Sequence, residues 1–325
     1  MILLLGASGY VGRAFANELR RRHHAFIPLT RKAVDYTNFN LLFGYIRETR
    51  PEFVINAAGH VGKPNVDACE SARAETLFAN AVLPQTVARA CSMTNIPWGH
   101  VSSACIYHGA KWMDGRGART LDGADLRNAF AKFPGKILGY SEWDEPNFSF
   151  RCAPCSFYSG TKALAEESIR GMGQGYIWRI GMPFTEKSEE RNFLWKVQQY
   201  PKIYDGINSL THLEDFVCAC LDLLEMQASF GIYNVANPGA ISTRRVVELI
   251  QRILKPDREF EFWKDENEFY HHAAKAPRSN CILDVSKLLA MGIKMRTVEE
   301  ALKDSLYHWQ KIAAHAETNG LWRSN

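Results

Sequence analysis

Three glycines at every third position, in Gly6-Ala7-Ser8-Gly9-Tyr10-Val11-Gly12, follow directly on the apolar run Ile2 to Leu5 and lead into helical periodicity at Val11, Phe15 and Leu19. Few folds use that order. In a strand-turn-helix, Gly6 permits the tight turn, Gly9 lets a backbone approach a pyrophosphate, and Gly12 allows the helix to pack closely on the strand. A glycine-rich turn can be purely structural. This one lies where a first βα unit must lie, and the segments after it are compatible, so the reading is a dinucleotide site with the pyrophosphate on the helix N-terminus. The fold class that follows is α/β, a doubly wound parallel sheet of Rossmann type.

The next elements extend that sheet. Ala25 to Leu29 reads as the second strand and ends in Thr30-Arg31-Lys32. An acidic residue there would accept bonds from a ribose 2′-hydroxyl, whereas a basic one accommodates a 2′-phosphate, so Arg31 predicts NADPH in preference to NADH. A solvated loop cation is the alternative for Arg31. A helix over Tyr36 to Glu48 leads to the strand Phe53 to Asn56 and then to Ala57-Ala58-Gly59, small residues that leave room for a cofactor across the sheet. The stretch His60 to Glu70 is polar and turn-rich, Ala72 to Cys91 is helical and contains Asn80, and Trp98 to Val101 is a strand followed by Ser102-Ser103-Ala104-Cys105. A hydroxyl just beyond that strand can bond a substrate carbonyl.

The chemistry concentrates in Ser156 to Glu167, SFYSGTKALAEE. Tyr158 and Lys162, four residues apart at the start of a helical segment, stand on one helix face. An ammonium beside a phenol favours the phenolate, which makes the tyrosine an acid able to protonate an alkoxide near neutral pH. Alone the pair would be an ordinary helix face; with the glycine turn upstream it reads as catalytic.

Together, Gly6 to Gly12, Asn56-Ala57-Ala58-Gly59, Ser103 and Tyr158 with Lys162 resemble the extended short-chain dehydrogenase/reductases that act on nucleotide sugars. Finer matches, INAAGHVGKPNVDACE (Ile55 to Glu70), DEPNFSF (Asp144 to Phe150), RNFLWKVQQYPKI (Arg191 to Ile203), IYNVANPGAIS (Ile232 to Ser242) and APRSNCILDVSKL (Ala276 to Leu288), are similar to the 3,5-epimerase/4-reductases that make UDP-L-rhamnose. More distantly they are similar to dTDP-4-dehydrorhamnose reductases and GDP-fucose synthase. The resemblance implies a Rossmann domain over residues 1–178, with 108–155 an insertion or lid, and a smaller mixed α/β sugar-binding domain over 179–325, from which 205–235 return to the first domain. It implies a cofactor set of Gly6, Ser8, Gly9, Tyr10, Val11, Gly12, Arg31, Ala57, Ala58, Gly59 and Asn80 with Tyr158 and Lys162. Tyr158 would be the general acid/base, Lys162 would lower its pKa and bind the nicotinamide ribose, and Ser103 would support the reacting oxygen. Asn192 and Arg278 would bind substrate, Arg278 near the diphosphate, which a planar guanidinium suits.

The bifunctional enzymes share a cysteine two positions after the serine, here Cys105, with a basic residue that falls on Lys196. Epimerising a carbon next to a ketone needs a base to remove the α-proton and an acid to return one on the other face, and a thiolate and an ammonium can serve on either side of the ring. The alternative is a buried small hydrophobe and a surface charge.

Composition sets the outer limits. A chain of 325 residues with 46% hydrophobic and 23% charged residues is ordinary globular composition. The net charge of +4 without a long basic run gives no reason to expect nucleic acid, and no apolar stretch approaches a membrane span. A cytoplasmic enzyme, possible as a homodimer, is the expectation. The eight cysteines are scattered and read as free thiols; Cys152 and Cys155 form a single C-x-x-C without a second pair at zinc spacing, and the adjacent pairs His23-His24 and His271-His272 point apart, so no metal site is expected. Thr211 to Glu225 and Ser242 to Leu254 read as helices capped by Thr211 and Ser242. The function read here is NADPH-dependent conversion of a nucleoside-diphosphate 4-keto-6-deoxyhexose to a 6-deoxy-L-hexose nucleotide, by epimerisation next to C4 and 4-keto reduction. A 4-reductase alone, another nucleotide-sugar epimerase or dehydratase, and a non-enzymatic NADP-binding regulatory subunit stay open beside it.

Overall fold

The structure, a computed structural model, describes residues 1–114 and 117–318. Its centre is the run that opens the chain. β1 (Ile2–Leu5) has all four side chains buried: Ile2 and Leu4 join Phe15, Leu19 and Phe216 on one face of the sheet, and Leu3 and Leu5 join Leu42, Ile46 and Val87 on the other. Burial on both faces is what makes a parallel strand read as a continuous apolar run.

α1 (Tyr10–Arg21) buries Phe15 and Leu19 and leads to β2 (Phe26–Leu29). α2 (Phe39–Thr49) begins later than the predicted Tyr36, because Asn38 caps it by accepting the Asn40 and Leu41 amides at 3.0 and 3.3 Å, while Tyr36 goes into the core. β3 (Phe53–Asn56) follows. The long helical run predicted over Ala72 to Cys91 is a helix over Arg73–Leu77, a π turn over Phe78–Val82 and α3 (Leu83–Thr94). Pro84 has no amide to give and its ring crowds the carbonyl four residues back, and the widened turn relieves both. β4 (Trp98–Ser103) and α4 (Phe157–Ile169) complete the site-bearing elements; Ser156 caps α4 by accepting the Ser159 amide at 3.1 Å.

After β5 (Gly175–Ile180) the chain leaves the sheet, forms α5 (Phe193–Gln199), and returns with α6 (Leu213–Glu225), which packs on α1, and with β6 (Gly231–Val235). The six parallel strands lie in the order β6-β5-β4-β3-β1-β2. The order reverses between β1 and β3, and ligands of open α/β sheets bind at such a switch point, at the carboxyl ends of the strands. The glycine turn leaves β1 and Ala57-Ala58-Gly59 leaves β3 at that place.

A second core lies outside the sheet. Phe193, Leu194 and Val197 of α5 pack with α7 (Thr243–Leu254) and α8 (Val298–Thr318) through Val246, Leu249, Ile250, Leu302 and Leu306. Ser242 caps α7 as expected, accepting the Arg245 amide at 3.1 Å. Thr211 does not cap α6. It lies in a short strand, Leu210–His212, paired with Met182–Phe184, and its hydroxyl accepts the Gly181 amide at 2.9 Å and donates to the Val235 carbonyl at 3.3 Å. Asn237 adds a bond from the His212 amide at 2.6 Å, so the three points where the chain passes between the cores are tied at one seam.

Residues 108–155 form a patch of their own. Ala110–Asp114 and Gly117–Leu121 pair antiparallel, Ile137–Leu138 adds a third strand, and Gly123–Lys132 is a helix. The patch is fixed to the segment before Leu283: the Gly109 amide bonds the Asn280 carbonyl at 2.6 Å and the Tyr140 amide the Ile282 carbonyl at 2.8 Å, with Tyr107 and Tyr140 stacked at 4.6 Å. Among the described residues no helix is long and apolar enough to cross a membrane.

Candidate active site

The glycine turn is shaped for a ligand. Gly6 has φ +76°, and a Cβ there would lie 2.6 Å from the Ala58 amide nitrogen; at Gly12 it would lie 2.0 Å from the Gly6 carbonyl oxygen. The turn is therefore pressed between α1 and the end of β3. Gly9 gives α1 no side-chain cap, and its first turn holds no acidic residue, so the free amides keep their partial positive charge for an anion. These residues fit a dinucleotide pyrophosphate, with Gly6, Ser8, Gly9 and the Tyr10, Val11 and Gly12 backbone around it. The Tyr10 side chain turns away: burial raises its phenol, and Thr185, Glu186 and Glu189 are the groups around it. A cavity of about 490 Å³ opens on that side of α1, from Ser8 and Arg13 to Glu186 and His212, rather than over Tyr158. Arg13 closes against Glu189 there. Arg31 is exposed just past the end of β2, with Asp35 and Tyr36 within its electrostatic reach.

At the end of β4 four predicted residues meet. Ser103 caps the turn Ala104–Ile106 by accepting the Cys105 amide at 3.2 Å, which aims its hydroxyl at the space shared by Tyr158 and Cys105. Burial pushes the Tyr158 phenol well above its ordinary value, the Cys105 sulfur adds to this, and the Ser103 hydroxyl and the Arg191 guanidinium pull it back. Burial likewise pushes the Cys105 thiol up to about 11, against the Ser103 and Ser159 hydroxyls. Cys105 is thus a protonated thiol at neutral pH. Lys162, one turn along α4, is brought down to about 8 by burial.

One expectation needs correction. Lys162 does not stand under the Tyr158 phenol as its dominant partner; its ammonium donates to the Val101 carbonyl at 2.9 Å and lies 3.4 Å from His100 Nε2. The sheet supplies acceptors at the strand, and a buried ammonium takes them.

The second lobe brings cations. Lys196 on α5 is held below its usual range by burial and by the charges of Arg191 and Arg278. Arg278 grips Asp67 with two nitrogens, at 2.6 and 2.7 Å, and donates to the Ala276 carbonyl at 3.0 Å, leaving part of its donor fork free. Sequence reasoning passed over Arg191 and Asp67. Arg191 stood in a quoted segment without a role, and a pair separated by 211 positions leaves no local trace.

Two further residues are corrected. Asn192 is fully buried and caps α5; its amide accepts from Leu194 and Thr185 and donates to the Thr185 and Lys187 carbonyls at 2.7 and 2.6 Å, so it shapes the loop and has nothing left for substrate. Asn80, in the π turn, spends its amide on the His60 backbone, accepting from its N–H and donating to its carbonyl, both at 2.8 Å. It fixes the path after Gly59 rather than reaching across it. All eight cysteines are free.

A glycine turn at the switch point, with serine at the end of the fourth strand and Tyr-x-x-x-Lys on the following helix, defines an α/β protein of short-chain dehydrogenase/reductase type. The model of the RmlD substrate binding domain matches residues 1–311, and the chain belongs to that family. A bifunctional dTDP-4-dehydrorhamnose 3,5-epimerase/dTDP-4-dehydrorhamnose reductase of Arabidopsis thaliana is 31% identical over 261 residues, 79% of this chain and 77% of the relative. Against a trifunctional UDP-glucose 4,6-dehydratase/UDP-4-keto-6-deoxy-D-glucose 3,5-epimerase/UDP-4-keto-L-rhamnose-reductase of the same plant, 30% identical, it spans 80% of itself but 35% of the relative's length. The same fold is seen in the L780 UDP-rhamnose synthase of Acanthamoeba polyphaga mimivirus, at a TM-score of 0.80 and 23% identity over 94% of this chain and 98% of that one. It is seen again in the dTDP-4-dehydrorhamnose reductase of Bacillus anthracis solved with NADP, at 0.72 and 20% over 95% and 97%.

Proposed function

We propose that the protein is an NADPH-dependent 4-keto reductase of a nucleoside-diphosphate 4-keto-6-deoxyhexose, and that the same site epimerises the ring next to C4. The observation that carries this is the meeting of Ser103, Cys105, Tyr158 and Lys162 at the carboxyl end of β4, beside a turn built for a pyrophosphate. The 31% identity to a bifunctional epimerase/reductase supports it.

Bound NADPH would supply a hydride to C4. Tyr158 gives its proton to the C4 oxygen, which its raised pKa suits, since the phenol stays protonated until the oxygen becomes a strong base. Ser103 donates a hydrogen bond to that oxygen, and Lys162, held on the Val101 carbonyl one turn along α4, supplies positive charge to the site as the phenolate forms. Arg31 takes the 2′-phosphate that separates NADPH from NADH. Arg278, Arg191 and Lys196 give the diphosphate a cationic wall.

For epimerisation the ketone acidifies the neighbouring C–H bonds. The surroundings suit one direction: Lys196, whose ammonium is disfavoured by burial and by Arg191 and Arg278, removes the α-proton, and the buried Cys105 thiol returns one on the opposite face. The pair resets by exchange with solvent, so solvent hydrogen enters the ring. Reduction alone is the second reading, favoured by the cationic company of Lys196, which suits a phosphate as well as a ring carbon.

The test is incubation in D2O with UDP-, dTDP-, GDP- and CDP-linked 4-keto-6-deoxyhexoses, with and without NADPH, followed by proton NMR. Deuterium at C3 and C5 without NADPH, then NADPH-dependent formation of a 6-deoxy-L-sugar, is the expected result. NADPH oxidation without deuterium would leave the reductase alone.

A further inference from the structure

We propose that His100 is a positioning residue of this centre, the neutral acceptor that holds the Lys162 ammonium on β4 and keeps its charge in place under the site. The inference rests on the reading of Lys162 given above, and starts from a residue that has no local reason to be polar. His100 is 1% exposed in the middle of β4, in register with Asn56 of β3 and Ile177 of β5. A parallel strand covered on both faces is ordinarily apolar there, and an imidazole costs desolvation unless it is bonded.

The bond it makes faces Lys162, with Nε2 3.4 Å from Nζ. An ammonium only donates, so Nε2 carries the lone pair and Nδ1 the proton, which fixes the tautomer. The Asn56 backbone is the other polar group beside the ring, and Nδ1 has no completed hydrogen bond. The ring stays neutral, because burial and the neighbouring ammonium hold it well below its ordinary pKa. Lys162 has one other bonded acceptor, the Val101 carbonyl at 2.9 Å. The remaining charged or titratable groups around it are Cys105, from the turn after β4, and Glu166, from its own helix. Glu166 is spent on Arg179 at 2.7 Å and on Ser102 at 2.5 Å, so it lends a field to Lys162 and no bond. A residue that merely filled space here could be aliphatic. An acceptor aimed at a buried ammonium has to be something like histidine.

The experiment measures NADPH affinity by fluorescence from pH 6 to 10, without sugar, on the full chain and on His100→Leu, His100→Gln and His100→Asn, with Lys162→Met as the baseline that lacks the titrating group. Binding should weaken as pH rises through about 8 in the native protein. In His100→Leu that limb should move down by about one pH unit, the cost of one acceptor lost to a buried cation. Gln, whose side-chain oxygen reaches the place of Nε2, should restore the limb, and Asn, which is one carbon shorter, should not. A native limb in His100→Leu overturns the proposal, and so does a Gln variant that titrates like Leu. If His100→Leu does not fold, the Gln and Asn variants decide by themselves, and equal behaviour overturns it. Because no sugar is used, failure to reduce any 4-keto sugar would sink the proposed reaction while leaving this result standing.

Discussion

Ser103, Tyr158 and Lys162 stand on a six-residue central strand and a thirteen-residue helix, whereas Lys196 stands on a seven-residue helix set among cations and pinned by a single asparagine. Cys105 belongs to the first setting by position and to the second by its proposed role. Proton delivery to a carbonyl oxygen demands a fixed donor, and rigid elements give it one. A base that works on two ring carbons gains from a long side chain on a short element, and that is where the lysine is found.

Substitutions that separate the two settings test this contrast most sharply. Tyr158→Phe should lower NADPH-dependent reduction by roughly a thousandfold while deuterium still washes into C3 and C5, because only the first process needs the phenol. Loss of both would mean one shared acid. Cys105→Ser should lower wash-in by about a hundredfold and leave reduction of an already epimerised ketone within a few-fold of native; unchanged wash-in would return Cys105 to the role of a small buried side chain. Arg278→Ala should raise the KM for the nucleotide sugar by about tenfold, since one charge-assisted contact is lost and Asp67 is left unpaired. An unchanged KM would remove Arg278 from the substrate site.

The pH dependence should divide the centres as well. Lys162, protonated below about 8, loses its charge as pH rises, so kcat/KM for reduction should fall above that value. Wash-in should instead rise with pH, because burial, Arg191 and Arg278 favour the free amine of Lys196 while Cys105 remains a thiol up to about 11. Parallel profiles, followed by NADPH absorbance and by NMR, would merge the two centres into one. The smallest effect is expected at Asn192→Ala: a loss of about 2 to 3 kcal/mol in denaturant unfolding from the lost cap and buried bonds, with substrate affinity changed only through the loop.

How far the sequence revealed this arrangement depended on how local each interaction is. The glycine turn, β3 and the Ser242 cap of α7 were readable because their causes lie within a few residues: a φ only glycine tolerates, an apolar run, a hydroxyl at a helix start. The cluster of Ser103, Tyr158 and Cys105 was readable through resemblance. What escaped was polar and distant. Thr211 has the composition of a cap but serves a strand seam, Asn192 and Asn80 have the composition of ligand contacts but serve the backbone, and Asp67 finds Arg278 only through the fold. A polar side chain in a sequence announces that it will be bonded and says nothing of to whom.

The seam at Thr211 and Asn237 has a consequence for how this architecture can be divided. Because β6 and α6 complete the sheet only after the chain has visited the second core, neither lobe is a continuous stretch of polypeptide. A cut at any single point between them removes an edge strand from one lobe or a helix from the other. The two lobes are therefore one module for truncation and for grafting, and can be moved between longer proteins only as a whole.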